Sequence, residues 1–222
     1  MEQIALDMGN LLSNQLPSLA HRAGELRGAG LVIRMRRGGE VLVDELGLEV
    51  SRIALTWKSD TLRGWGAMAV GAADTLSLRE RLVLIEPFAD DDHFAVREWA
   101  WLAVRKHVVA DIALAIECLT PWTGRSSPRL RRFAVEATRP RGVWSIHIPQ
   151  LKSTPELGLP ILEPLRADPS RYVQDSVANW INDASKTSPG WAVATCARWQ
   201  LTRCGETDRI CSRALRTVRR TG

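Results

Sequence analysis

The segments LRGWGAMAV (residues 62–70), VREWAWLAV (96–104), LRRFAVEAT (130–138), VQDSVANWI (173–181) and ICSRALRTV (210–218) align as one repeated unit. Their first residues, all apolar, are 34, 34, 43 and 37 positions apart. The fourth residue after each is small or medium-sized: Gly66, Ala100, Ala134, Val177 and Ala214. Apolar residues also dominate three, seven and eight positions after it. This is the stripe of an amphipathic helix, whose 3.6-residue turn brings those positions onto one face.

A further helical spacing precedes each repeat after the first, over residues 77–88, 111–122, 156–165 and 189–199. The links ADDDH, TGRSSP and ADPS supply Asp and Ser, which accept hydrogen bonds from the free N–H groups opening a helix. A helix pair recurring at this interval predicts an all-α chain, an α–α superhelix of HEAT-like repeats with roughly five to six helix pairs. The alternative is an irregular helical bundle. Residues 1–222 are expected to form one domain, with 57–222 the regular repeats and 1–56 an irregular helical cap. In that cap LVIRMRRGGEVLVDEL could turn as a hairpin at Gly38-Gly39, but helices are expected.

Composition narrows the chemistry. The chain of 222 residues is 45% hydrophobic and 25% charged, as in folded proteins, and no stretch reaches the roughly 18 apolar residues of a membrane span. The N-terminal MEQIALDMGNLLSNQ has no basic start followed by an apolar run, so a cytosolic location is expected. No Cys pair is spaced C-x-x-C and the His residues are scattered, which leaves no metal motif. No G-x-G-x-x-G or Walker A loop is present, so no nucleotide cofactor is expected. Carboxylates, Arg, Lys, Asn and aromatic rings are left to carry any chemistry.

The net charge of +5 is unevenly distributed. Residues 121–141 hold six Arg and one Glu, residues 198–222 hold seven Arg with Glu206 and Asp208, and each segment sums to +5. Two basic patches on an otherwise acidic chain suggest a polyanion partner. For any single Arg a solvated helix face is the simpler reading. Arg63, Arg97 and Arg131, each one position after the repeat's first residue, are expected to pair structurally with link acids or neighbouring repeats.

Three carboxylates interrupt the repeats at positions drifting by four residues: Glu98, Glu136 and Asp183. Four residues advance about 400° round a helix, so stacked repeats would present them as a diagonal row. A salt bridge from Glu136 to Arg132 or Arg139 is the plainer alternative. Of the nine Trp, Trp65 and Trp99 fall on the apolar stripe, while Trp57, Trp122 and Trp199 end first helices and should fill corners. Trp144 lies outside the pattern, in the longest interval. Pro140, Pro149 and Pro155 break the helix there.

RRFAVEATRPRGVW (131–144), DPSRYVQDSVANWINDASK (168–186) and the upstream DDDHFAVREWAWLAV (90–104) resemble the AlkC branch of the AlkC/AlkD-type DNA alkylation repair glycosylases, which are HEAT-like repeat proteins. The resemblance covers about residues 59–220, and the C-terminal immunoglobulin-like domain of some AlkC members is not expected. It implies a monofunctional glycosylase that removes cationic bases such as 3-methyladenine from duplex DNA, with 3-methylcytosine a further substrate associated with the AlkC branch. By motif match Glu136, Asp183 and Glu98 would be the active-site carboxylates and Trp144 the active-site aromatic. Arg139 and Arg141 would lie beside the lesion or its phosphates, and Arg132, Asn179, Lys186 and Arg216 are further candidate DNA contacts. No Lys stands where an imine-forming nucleophile would be, so no lyase activity is expected, nor any metal or organic cofactor; a monomer is expected. A non-catalytic binder of bent or branched DNA and a protein–protein scaffold are the competing readings. Unpaired acids near phosphates discriminate, because a pure binder has no use for them.

Overall fold

Repeat positions that are apolar in the sequence become helix contacts in the computed structural model, which describes residues 7–142 and 144–221. Among these residues there is no strand. The chain divides into two compact units, Met1–Val104 and Arg105–Gly222.

The first unit contains α1 (Met8–Gln15), a 3-10 segment (Pro17–Leu26), α2 (Leu31–Leu46), α3 (Val50–Ala54), α4 (Asp60–Ala72), α5 (Leu78–Ala89) and the start of α6 (Phe94–Ala110). Serines open α4 and α5. Ser59 accepts from the Leu62 amide, and Ser77 and Glu80 form a reciprocal capping box. The Gly38-Gly39 pair lies inside α2, so there is no hairpin. The glycines are there for close approach. A Cβ at Gly38 would overlap the indole of Trp65, and one at Gly39 would overlap Met68 on α4. Trp65 and Trp99 are buried as the stripe required, and Phe88 is buried near the end of α5.

The second unit runs from the end of α6 through α7 (Ile112–Leu119), a 3-10 segment (Thr120–Gly124), α8 (Pro128–Ala137), α9 (Pro149–Ser153), α10 (Leu159–Leu162), α11 (Arg171–Ser185), α12 (Pro189–Gln200), α13 (Gly205–Ala214) and α14 (Val218–Thr221). The expected first helix over 156–165 is broken into a 3-10 turn at Pro155–Gly158, α10, and another 3-10 turn at Glu163–Leu165. Pro155, Pro160 and Pro164 remove the amides a continuous helix needs. Leu165 is still buried, as are Trp122 and Trp199. Helix α11 is enclosed along most of its length, with Trp180 fully buried against Gly158 and its Nε1 donating to the Thr138 carbonyl at 2.9 Å.

One hydrogen-bond pattern recurs in both units and marks the repeat. Arg63, Arg97 and Arg131 each donate through Nη1 to the carbonyls six and five residues earlier, at 2.7–3.0 Å. Arg63 also forks onto Asp91, 28 residues on, and Arg131 onto Asp168, 37 residues on. The nine extra residues are those of the longer interval. These arginines therefore hold link to helix, as expected, and are not free for a ligand.

Candidate functional site

Glu136 lies in the last turn of α8 and Asp183 in the last turn of α11; each is 3% exposed. Arg139 joins them. Its Nε and Nη2 donate to Asp183 Oδ2 at 3.0 and 2.7 Å, and its Nη1 to Glu136 Oε2 at 3.1 Å. Burial alone would lower the pKa of Arg139, but Glu136 and Asp183 outweigh it and hold the guanidinium above its ordinary value. The other oxygens are engaged too. Ser176 Oγ donates to Glu136 Oε1 at 2.6 Å, with Arg132 at 3.6 Å, and Lys186 Nζ donates to Asp183 Oδ1 at 3.1 Å. Arg141 Nε donates to the Asp183 carbonyl at 3.2 Å. The plainer alternative, a salt bridge from Glu136 to Arg132 or Arg139, is thus present in both forms, and Arg139 extends it to Asp183.

The predicted residues fall in both units. Glu98 belongs to the first unit, where Trp101 Nε1 donates to its Oε2 at 2.9 Å. Asn179 Oδ1 accepts from Arg216 Nη2 at 3.0 Å, so these two candidates pair on the α11–α13 side of the second unit. Arg132 stacks over the Tyr172 ring, its Cζ 4.5 Å from the centroid. Trp144 is 73% exposed, with a left-handed backbone (φ 57°) that L-residues rarely adopt. Ile146 beside it is also exposed. The neighbouring Val143 lies outside the described residues.

The segment carrying Arg139, Arg141 and Trp144 is held at its carbonyls. The Ile148 amide donates to Pro140 O at 3.1 Å. Arg105 donates from Nη1 to Ala137 O (2.7 Å), from Nη2 to Arg139 O (2.6 Å) and from Nε to Ile146 O (2.9 Å). Sequence reasoning missed Arg105 and Ser176. Arg105 reads like its neighbour Lys106, a basic residue near a helix end, yet Arg105 is 2% exposed and Lys106 is on the surface. Among the described residues no cluster of His, Cys, Asp or Glu could hold a metal ion, and no helix is long and apolar enough to cross a membrane.

No family model matches the chain. It is 42% identical over 120 residues to the uncharacterized Bacillus subtilis protein YhaZ, a match over 54% of this chain and 33% of YhaZ. The match thus spans about a third of that relative's length. Among solved structures it superposes on the Pseudomonas fluorescens alkylpurine DNA glycosylase AlkC, bound to DNA containing an abasic site analog, with a TM-score of 0.76. That superposition covers 98% of this chain and 62% of AlkC at 23% identity. Streptococcus mutans AlkD2 gives a TM-score of 0.70 over 90% of this chain and 96% of AlkD2, at 20% identity. The fold is of the AlkC/AlkD type. The recurring arginine pattern is how this chain builds that AlkC/AlkD-type helical repeat, and the α8–α11 pairing is where it gathers two carboxylates.

Proposed function

We propose that the chain binds double-stranded DNA and excises cationic alkylated bases, 3-methyladenine first and 3-methylcytosine second, by hydrolysing the N-glycosidic bond without cutting the strand. It acts as a monomer and needs no metal or organic cofactor. One observation carries the reading: Glu136 and Asp183, from different helices, meet on Arg139, in the segment that exposes Trp144 five residues later. The AlkC/AlkD-type fold agrees with it.

The chemistry suits these groups. An N3-methylated base carries a positive charge and leaves as a neutral base with the electron pair of the C1′–N bond, so little acid catalysis is required. The enzyme's work is to stabilise the cationic sugar and to take a proton from the water that adds to C1′. A buried carboxylate does both. Asp183 is better placed than Glu136 for the proton. Its Oδ1 takes its hydrogen bond from Lys186, whose side chain is 43% exposed and can swing toward a phosphate. Glu136 Oε1 is locked by the buried Ser176 and acts through its charge. Trp144 offers a π-face to the cationic base, worth about 1–2 kcal/mol when desolvated. Arg141, Arg132 and Lys186 meet phosphates, as does the Asn179–Arg216 pair, which makes binding salt-dependent.

One observation favours a second reading, a DNA binder that breaks no bond: every oxygen of Glu136 and Asp183 already has a partner. Incubation with N3-methylated duplex DNA, with chromatography of released bases, decides between them. Release of 3-methyladenine above the protein-free rate is expected. Tight binding of that DNA without release would establish the second reading instead.

A further inference from the structure

We propose that Arg105 is a positioning residue, one that sets the geometry of the 139–148 segment on which Arg139, Arg141 and Trp144 depend. The proposal rests on the glycosylase reading only for what that segment does, not for how it is held.

A guanidinium has five N–H donors in a rigid plane, so it can fix several acceptors in one geometry where an ammonium cannot. Arg105 uses all three nitrogens on neutral carbonyls. Burial and the nearby Arg139 cation push its pKa down to about 10, while Glu136 and Asp183 pull the other way. The placement of the carbonyls shows what that cation holds. Ala137 O closes α8, Arg139 O belongs to the residue bridging the two carboxylates, and Ile146 O lies two residues beyond Trp144. One side chain thus ties both ends of the exposed segment to the end of the helix that carries Glu136.

Arg81 provides the internal comparison. It is equally buried and donates to the carbonyls of Val70, Gly71 and Ala73 at the end of α4. Those acceptors fall within four consecutive residues, so Arg81 finishes a helix and holds nothing further. Arg105 finishes α8 in the same way, and its third bond reaches across to Ile146. Capping a helix with a buried Arg belongs to the fold; the reach to Ile146 serves the segment that carries Trp144.

The test compares full-length wild type with Arg105→Lys, Arg105→Gln and Arg81→Lys. Amide hydrogen exchange over residues 139–148, single-turnover release of 3-methyladenine and its KM, and thermal unfolding are measured. Arg105→Lys is expected to speed exchange of the hydrogen-bonded Arg139 and Ile148 amides at least tenfold without changing that of α11. Its rate of base release should fall at least tenfold with KM within threefold. Arg81→Lys should lower the unfolding temperature yet leave the release rate within twofold. Unchanged exchange in 139–148 for both Arg105 variants, or unchanged release in a variant with faster exchange, would overturn the proposal. If both Arg105 variants fail to fold, the wild-type Ile148 amide decides: protection comparable with α8 supports an anchored segment, and free exchange overturns it. Should wild type release no base, the glycosylase reading fails, and exchange still judges Arg105.

Discussion

Asp183→Asn should separate chemistry from stability. The side chain is 5% exposed and takes two hydrogen bonds from Arg139 on Oδ2 and one from Lys186 on Oδ1. Asn keeps the size and one oxygen. Turned toward Arg139, that oxygen preserves the contact as a neutral one, and the amide nitrogen displaces Lys186, which is free to move into solvent. Arg139 also retains Glu136. The folding cost is therefore the difference between charged and neutral acceptors, about 1–3 kcal/mol, or roughly 2–4 °C in Tm per kcal/mol for a chain of this size. Catalysis loses its proton acceptor and one of the charges facing the cationic sugar. Removal of a general base costs about a hundred- to ten-thousand-fold in rate, near 3–5 kcal/mol in the barrier. Binding moves the other way, because an anion beside Arg139, Arg141 and Lys186 no longer repels phosphate. Single-turnover release of 3-methyladenine, anisotropy with an abasic-analogue duplex and thermal unfolding read the three effects. A release rate within threefold of wild type, together with weaker binding, would refute the reasoning and leave Asp183 a structural residue.

Ser176→Ala strips the hydroxyl from Glu136 Oε1 and should cost about 1–3 kcal/mol of stability, seen as a lower Tm; the folded fraction should release base much faster than Asp183→Asn does, and parity between them would be inconsistent with Glu136 acting only through its charge. Trp144→Gly removes an exposed ring from a left-handed position, so unfolding should stay within about 1 kcal/mol of wild type while base release falls about tenfold, the value of a cation–π contact of 1–2 kcal/mol; a large Tm loss would mean that the indole packs in the fold. Gly39→Ala pushes a methyl to within 2.6 Å of the Ala69 backbone nitrogen, an overpacking of about 1–3 kcal/mol that exceeds the roughly 1 kcal/mol gained in helix propensity. Gly190→Ala meets nothing within 4 Å and should raise Tm, so calorimetry should rank it above wild type and Gly39→Ala below.

Much of the fold was legible because helix formation and capping are local. The 3.6-residue spacing placed Trp65 and Trp99 in the core, and the TGRSSP link put Ser127 where a free amide needed an acceptor. The arginine one position after the start of the first three repeats was also readable, because two of its acceptors lie only five and six residues back. Local reading erred where prolines cluster: the apolar spacing of 156–165 suggested a helix, and the missing amides at Pro155, Pro160 and Pro164 divided it.

The sequence by itself determined that this is a chain of helix pairs with a long interval after α8, and it nominated Glu136, Asp183 and Trp144. Only the tertiary structure decided what those residues touch. The contact of Arg139 with Asp183 spans 44 residues, that of Ser176 with Glu136 spans 40, and that of Arg105 with Ile146 spans 41. Periodicity carries no information over such distances, since it fixes the face of a helix and not the partner opposite. Arg105 and Lys106 make the point most directly. They are adjacent, equally charged and on the same helix, but successive residues differ by about 100° around the axis. That rotation leaves one side chain in water and turns the other into the interior, where its charge can be kept only by the carbonyls that hold the segment around Trp144.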